Sequence, residues 1–336
     1  MSGRLVIGGR EWPLTAALRA ADLPGAVWAQ AIGRAVETWF SEAATVELRT
    51  SGSTGRPRPV VHGKEAMRAS AERTAEALGL GEGTVAGLVM PVEFVGGFMM
   101  LVRAIEGGWT LWASEPKVEV VAPEGTEFLA LTPLQARASG AGIAGVGKVL
   151  LGGAAAGEGE WAGREVWESF GMTETVSHVA LRRLRPGPAE RAFRAVRGVT
   201  VEADGEGCLV VRAPHLFEGA LVTRDVVEVE APNRFVWKGR ADDVINSGGL
   251  KVHPEEVEAA AAQVVQRPCR AFGKPHPVLG QQVVLAVHGE GTLEEAEAIR
   301  TALVAILPRN RAPRRVEFRN LDQTPSGKWI RPRAQP

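Results

Sequence analysis

A chain of 336 residues, 45% of them hydrophobic, is long enough for two globular domains of roughly 150 residues each. Its 39 basic and 39 acidic residues cancel and no long single-sign run occurs, which argues against nucleic acid or an anionic lipid surface as a partner. There is no leader pattern and no apolar span of about 18 residues, so a cytoplasmic protein without membrane insertion is expected.

In chain order, the first informative segment is residues 50–58, Thr-Ser-Gly-Ser-Thr-Gly-Arg-Pro-Arg, which precedes an Ala-rich helical stretch. Gly52 and Gly55 permit backbone geometry that side chains resist. Thr50, Ser51, Ser53 and Thr54 supply hydroxyls, and Arg56 and Arg58 supply charge. The composition fits a loop that cradles a nucleoside triphosphate, and also an ordinary solvated Ser/Gly turn. It is not the usual NTPase loop, which needs Gly-Lys-Ser/Thr leading directly into its helix, whereas Pro57 and Pro59 interrupt this path.

Apolar runs then alternate with helical stretches over residues 84–90, 97–106, 110–113 and 127–131, the last leading into 133–138. The alternation predicts a layered α/β domain, with Val149, Leu150 and Leu151 as a buried strand. Residues 182–197, rich in Arg, Pro and Ala, predict a mobile surface loop. From Val199 the pattern becomes strand-rich, and 208–212, 226–230 and 234–237 read as strands of a β-subdomain. A boundary falls at 239–243, after which a small α+β unit restarts. Its first helix begins at Pro254 with Glu255 and Glu256 in the first turn, and its second covers 293–307 before Pro308. Cys208 and Cys269 form neither a metal cluster nor a disulfide framework and are expected as buried thiols.

Three further segments follow residues 50–58 in a fixed order. They are 168–175 (Glu-Ser-Phe-Gly-Met-Thr-Glu-Thr), 239–258 (opening Gly-Arg-Ala-Asp-Asp and containing Ser-Gly-Gly-Leu-Lys) and 324–331 (Thr-Pro-Ser-Gly-Lys-Trp-Ile-Arg). The ordered set resembles the adenylate-forming acyl-CoA ligase superfamily. That family carries a Thr-Ser-Gly-Ser/Thr-Thr-Gly-x-Pro-Lys loop, a Tyr-Gly-x-Thr-Glu turn, a Thr-Gly-Asp, a Gly-Arg-x-Asp-Asp hinge and a terminal Pro-x-Gly-Lys. The resemblance runs from about residue 50 to 331, with Thr223-Arg224-Asp225 standing for the Thr-Gly-Asp. It implies an α/β adenylate-forming ligase fold: residues 1–238 as a large layered N-terminal domain that includes a β-subdomain, 239–243 as a hinge, and 244–336 as a small mobile α+β lid. It also implies two steps, in which a carboxylate attacks the α-phosphorus of ATP with Mg²⁺, releasing pyrophosphate, and the thiol of coenzyme A then captures the acyl group.

The resemblance assigns roles residue by residue. Thr50, Ser51, Gly52, Ser53, Thr54, Gly55 and Arg58 would hold the phosphates, Arg58 replacing the family's lysine with a different donor geometry. Thr173 would contact the α-phosphate and Glu174 the magnesium, a hard ion that takes one or two carboxylates beside phosphate and water. Phe170, in place of Tyr, and Gly171 would face adenine with Gly153 of a Gly-Gly-Ala turn. Asp225 and Arg240 would hold the ribose, with Arg224 in place of a glycine between Thr223 and Asp225. Asp242 would be the hinge, Gly248 and Gly249 would line the path of coenzyme A, and Lys328 would span carboxylate and α-phosphate as the catalytic lysine. Taken alone, these residues read as a helix cap at 173–174, exposed charges at Asp225 and Arg240, and a frayed tail at Lys328.

Residues 91–109 bear on the acid. The segment resembles the Pro-x-x-His-x-x-Gly stretch of acyl-CoA ligases, with Phe94 where histidine is usual, followed by a helix carrying Arg103 among apolar neighbours. A guanidinium there is costly to bury unless paired. An arginine at this place resembles the menaquinone-pathway o-succinylbenzoate–CoA ligases, whose substrate has a second carboxylate for it to recognise, directly or through water. The 49 residues before the phosphate loop agree with the short members of that group. A structural ion pair is the other reading of Arg103. A small-molecule carboxylic acid is thus the expected partner, with another aryl or dicarboxylic acid, or a non-catalytic acyl-adenylate-binding module, as alternatives. A homodimer is left open.

Overall fold

The computed structural model describes residues 3–49, 59–157, 161–323 and 329–332. The chain forms two compact units, one of residues 1–201, 211–221 and 231–234, the other of 202–210, 222–230 and 235–336.

The first unit opens with a hairpin, β1 (Arg4–Ile7) and β2 (Arg10–Pro13), and helix α1 (Val27–Phe40). A second hairpin, β3 (Thr45–Arg49) and β4 (Pro59–Gly63), flanks residues 50–58, its register pairing Arg49 with Pro59, and leads into α2 (Lys64–Leu78). Strand β5 (Val85–Leu88), α3 (Val95–Gly107), β6 (Thr110–Ala113), β7 (Phe128–Leu131), α4 (Pro133–Ser139) and β8 (Lys148–Leu151) then alternate. Strands β9 (Glu165–Gly171), β10 (His178–Arg185) and β11 (Phe193–Ala195) follow. Their sheet runs β2-β1-β6-β5-β7-β8-β9-β10-β11, parallel from β1 to β9 and antiparallel at both margins.

The parallel centre is apolar because it is covered on both faces. All four residues of β7 are buried, and α3 buries the continuous run Phe98–Ala104. Aromatic edges close the layers, with Trp39 of α1 against Phe98 at 6.3 Å and Trp109 against Phe128 at 5.9 Å, both edge-on. Each fully buried Leu or Phe in such a core contributes about 1.5–3 kcal/mol relative to exposure.

The second unit takes half of β12 (Thr200–Ala203) and most of β13 (Cys208–Arg212), β14 (Leu221–Ala231) and β15 (Arg234–Arg240), neighbours in that order. A turn at Ala241–Asp243 leads to β16 (Ile245–Ser247), β17 (Leu250–Val252), α5 (Pro254–Ala262), β18 (Cys269–His276), β19 (Gly280–His288), α6 (Leu293–Ile306) and β20 (Arg315–Arg319). Strand β19 is central, antiparallel to β18 and β16 and parallel to β20. Its Val283, Leu285 and Val287 pack with Val257 and Ala261 of α5 and Ile299 and Leu303 of α6.

The layered α/β reading holds, and α5 begins at Pro254 with Glu255 and Glu256 in its first turn, as expected from local capping chemistry. Both cysteines are buried and free. Residues 182–197 differ from expectation only in part, since 182–185 and 193–195 are strand while 186–192 between them are not. Arg182 pairs with the buried Glu168 at 2.6 Å and Phe193 is buried, so long-range pairing overrides a loop-like composition. No helix among the described residues is long and apolar enough to cross a membrane.

Candidate active site

In the first unit, two adjacent parallel strands, β8 and β9, end in motif residues. The carboxyl edge of such a sheet is where open α/β folds bind ligands. Strand β8 runs into Gly152 and Gly153, Gly153 at φ 80°. The turn after it is held to β9 by the buried Glu168 carboxylate, which accepts from the Ala156 N–H at 2.8 Å and from Arg182 at 2.7 Å. Strand β9 ends at Phe170 and Gly171, and the Phe170 ring tilts against Phe193 at 5.6 Å. A Cβ at Gly171 would overlap the Ser177 carbonyl oxygen and the His178 Cα, so only glycine lets β9 end this close to the start of β10.

The turn between them is tight. The Met172 N–H donates to the Thr175 hydroxyl at 3.0 Å, and the Ser177 N–H donates to Thr175 O at 2.6 Å across Val176, which sits at φ 66° and ψ −55°. Val176 is the one non-glycine residue with positive φ, among the described residues. This three-residue turn is rare for a β-branched side chain and stores about 1–3 kcal/mol. It leaves Glu174 exposed and Thr173 half-buried, with no hydrogen-bond or ion-pair partner for either side chain among the described residues. An exposed, unclaimed carboxylate suits a magnesium ion that arrives with phosphate and water. His62 of β4 lies near enough to feel Glu174. Burial depresses its pKa, Glu174 partly opposes that, and its Nε2 has no partner. Its one sequence signal is its place four residues beyond Arg58.

Arg103 is 4% exposed in α3. Its Nη2 donates to Ser177 Oγ at 3.1 Å, its Nη1 faces Met100 Sδ at 3.7 Å, and its Nε has no partner. Among the described residues it makes no ion pair. Burial pulls its pKa down to about 10. Beside it His178 is driven to about 3, by burial first and then by the Arg103 charge, so the imidazole is neutral. Ser70 and Thr74 of α2 complete the cluster, Ser70 donating to Ser177 at 3.2 Å and Thr74 meeting His178 Nε2 at 3.2 Å. Ser70, Thr74, Ser177 and His178 were not legible as site residues, because they come from separate elements. Phe94 precedes α3, half-buried, and bridges to Arg49, the residue that enters the 50–58 segment.

In the second unit Asp225 is buried in β14. Its Oδ1 accepts from Trp237 Nε1 at 2.9 Å and its Oδ2 from Arg240 Nη1 at 3.4 Å. Arg224 reaches Asp242 Oδ1 through Nε at 3.1 Å and Nη2 at 3.0 Å, and Arg240 reaches Asp242 Oδ2 at 3.6 Å. Asp225, Arg240, Asp242 and Arg224 therefore form one chain of charges. Gly248 (φ 59°) and Gly249 (φ 82°) form the turn between β16 and β17. Thr50, Ser51, Gly52, Ser53, Thr54, Gly55, Arg58 and Lys328 lie outside the described residues.

No protein-family model matches the chain. It is 30% identical over 310 residues to a probable 2-succinylbenzoate–CoA ligase of Mycobacterium tuberculosis, across 82% of this chain and 79% of that one. It is 25% identical over 329 residues to the 2-succinylbenzoate–CoA ligase of Listeria monocytogenes, across 87% and 70%. Among solved structures, an AMP-forming acyl-CoA synthetase/AMP-acid ligase II-like protein from Dyadobacter fermentans matches at 31% identity and a TM-score of 0.61, across 91% and 93%. The o-succinylbenzoate coenzyme A synthetase of Bacillus subtilis, solved with ATP and magnesium ion, shares the fold at 19% identity and a TM-score of 0.69, across 85% and 68%. Fold and motifs together define an AMP-forming acyl-CoA synthetase. Within that class the chain belongs to the 2-succinylbenzoate–CoA ligase family.

Proposed function

We propose that this chain is an ATP-dependent 2-succinylbenzoate–CoA ligase acting in the cytoplasm, with Mg²⁺ as cofactor and coenzyme A as co-substrate. The observation that carries the substrate is Arg103. A guanidinium 4% exposed and held by one serine hydroxyl is a cation awaiting an anion, and the second carboxylate of 2-succinylbenzoate supplies it, directly or through water.

In the first step an oxygen of the other carboxylate attacks the α-phosphorus of ATP and the bond to the β-phosphate breaks, giving acyl-adenylate and pyrophosphate. Residues 50–58 donate to the phosphates, Thr173 to the α-phosphate, and Lys328 neutralises charge between carboxylate and phosphorus. Glu174 would hold the metal, which would supply charge screening of the phosphates. Asp225 and Arg240 orient the ribose, and Phe170 and Gly153 the adenine. In the second step the sulfur of coenzyme A attacks the acyl carbon, AMP leaves, and Gly248 and Gly249 give the pantetheine close passage. Residues 239–243 are the hinge between the 1–238 and 244–336 domains.

The test is thioester formation followed by mass spectrometry, with ATP, Mg²⁺, coenzyme A and a panel of 2-succinylbenzoate, benzoate, succinate, acetate and a medium-chain fatty acid. Product from 2-succinylbenzoate alone is expected. Product from a different acid instead keeps the chemistry and defeats the substrate assignment, and no product from any of them defeats both.

A further inference from the structure

The turn at Val176 brings two consecutive side chains to one place. Neighbouring residues of a strand normally face opposite ways. Ser177 stands between the turn and the first residue of β10, and the pairing of β10 with β9 shifts register directly after His178. Both side chains therefore reach the same polar cluster, Ser177 meeting Ser70 and His178 meeting Thr74. Ser70 and Thr74 are four residues apart, on one face of α2, and Arg103 comes from α3.

The hydrogen bonds in this cluster run in one direction, and the acceptors fix it. The Thr74 hydroxyl donates to the Ser70 carbonyl oxygen at 2.9 Å, and a carbonyl can only accept. With its single hydrogen placed there, Thr74 Oγ1 meets His178 Nε2 at 3.2 Å as an acceptor, so Nε2 carries the imidazole hydrogen. Nδ1 then accepts from the Ser177 hydroxyl at 3.4 Å. The two lone pairs of Ser177 Oγ remain for the Ser70 hydroxyl at 3.2 Å and Arg103 Nη2 at 3.1 Å. With the hydrogen on Nδ1 instead, three donors would converge on Ser177 Oγ, and its own hydrogen would have no acceptor in the cluster. Ser70, Thr74, Arg103 and His178 are all buried, so water does not replace a lost partner.

This order bears on the guanidinium. Arg103 Nη2 is held by Ser177, while Nε has no partner among the described residues. A serine hydroxyl that could rotate would not hold a planar fork in one orientation, whereas one whose hydrogen is committed to His178 does.

We propose that His178 is a positioning residue of the acid subsite: joined to Thr74 on one side and Ser177 on the other, it fixes the Ser177 hydroxyl in the orientation that accepts from Arg103, and so holds the guanidinium toward the second carboxylate of the acid. The proposal deepens the substrate reading above and rests on it for the identity of the acid.

The experiment uses the full chain in two measurements. With ¹⁵N-labelled histidine at pH 7, NMR is expected to show His178, assigned by the signal that His178→Asn removes, as the neutral Nε2–H tautomer. Thr74→Val should release it to a mixture of tautomers. An Nδ1–H tautomer or an imidazolium in the wild type overturns the proposal. In thioester formation from 2-succinylbenzoate, His178→Leu and Thr74→Val should each raise KM for the acid about threefold to tenfold, the size of one net hydrogen bond. The kcat should stay within about threefold and KM for ATP should not move. Thr74→Ser, which keeps the hydroxyl, and His178→Asn, whose Oδ1 replaces the Nδ1 acceptor, should recover most of the loss. On an Arg103→Met background, His178→Leu should raise the acid KM no further, since both changes remove one function. A purely structural role would lower kcat and weaken acid and ATP together. An even loss of that kind, a Thr74→Ser variant no better than Thr74→Val, or an undiminished rise on the Arg103→Met background overturns the proposal. Should His178→Leu fail to fold, the two Thr74 variants carry the same test. A wild type that shows the tautomer yet activates no acid with a second carboxylate defeats the substrate reading, and with it the ligand named here, while the relay stands. Thioester formation with an acid KM indifferent to Thr74→Val defeats the role of His178 and leaves the substrate reading in place.

Discussion

Arg103 shows how one residue can set function against stability. Keeping an unpaired charge buried costs desolvation free energy that an apolar side chain of similar volume does not incur. Arg103→Met should therefore unfold at equal or higher denaturant concentration than wild type, while KM for 2-succinylbenzoate rises at least about tenfold, the cost of one lost charged contact. KM for ATP should be unchanged. A variant that loses stability and leaves the acid KM untouched would remove Arg103 from the site. Its neighbour His178 titrates in a defined direction. The folded value of about 3 lies below the ordinary 6.5, so the unfolded chain takes up a proton that the folded one refuses. The stability contribution is complete above pH 6.5 and is lost as pH falls toward 3, at up to about 1.4 kcal/mol per pH unit. His178→Gln should flatten that slope, seen as a wild-type advantage in urea that shrinks between pH 7.5 and 5. A constant difference across that range would show that His178 does not titrate as assigned.

At the scale of elements, the β9–β10 turn converts local strain into presentation. The cost stored at Val176 is about 1–3 kcal/mol, similar to what burying its side chain returns, so the turn persists because β9 and β10 pair on either side of it. Gly171 is the point of least tolerance. Gly171→Ala should destabilise by about 1–3 kcal/mol, the range for overpacking against backbone, and should lower adenylation further by displacing Thr173 and Glu174. Thermal unfolding beside pyrophosphate exchange checks this, and an alanine variant equal to wild type in both would show that the turn has room. The α5 and α6 starts follow simpler rules: Pro254 leads the first, and Thr292 caps the second by accepting the Glu295 N–H at 3.1 Å.

For the whole molecule, the question is how two half-reactions share one chain. Arg224, where the family carries glycine, clasps Asp242, but both side chains are about half exposed (53% and 54%), so the pair contributes at most about 1 kcal/mol. If 239–243 is the hinge proposed above, that is enough to shift its balance about fivefold and too little to lock it. Arg224→Gly should therefore change the ratio of the two half-reactions by no more than that factor, with the effect fading at high salt. On the proposed hinge reading Asp242→Pro is more severe, because proline fixes φ near −65° and a hinge must change it. Adenylate formation should survive and thioester formation should fall. An even loss in rapid-quench measurements of the two steps would place the hinge elsewhere.

Local chemistry made part of this protein legible in its sequence. The start of α5 at Pro254, the apolar strands β5 to β8 and the order of the motifs all depend on neighbours within a few residues, which is the range over which caps, periodicity and glycine turns act. The motif Phe170-Gly171-Met172-Thr173-Glu174 could be read as a turn, but its tightness depends on the approach of β10, which no local rule contains. Only the two ends of 182–197 depart from a loop, and for the same reason, since pairing with β9 and β10 is what makes 182–185 and 193–195 strand. The environment of Arg103 joins residues 74 positions apart, and that of His178 joins residues 104 apart. Sequence determined which charges exist. Tertiary structure decided which of them are buried and which are paired, because desolvation and pairing depend on what the folded chain brings within a few ångströms.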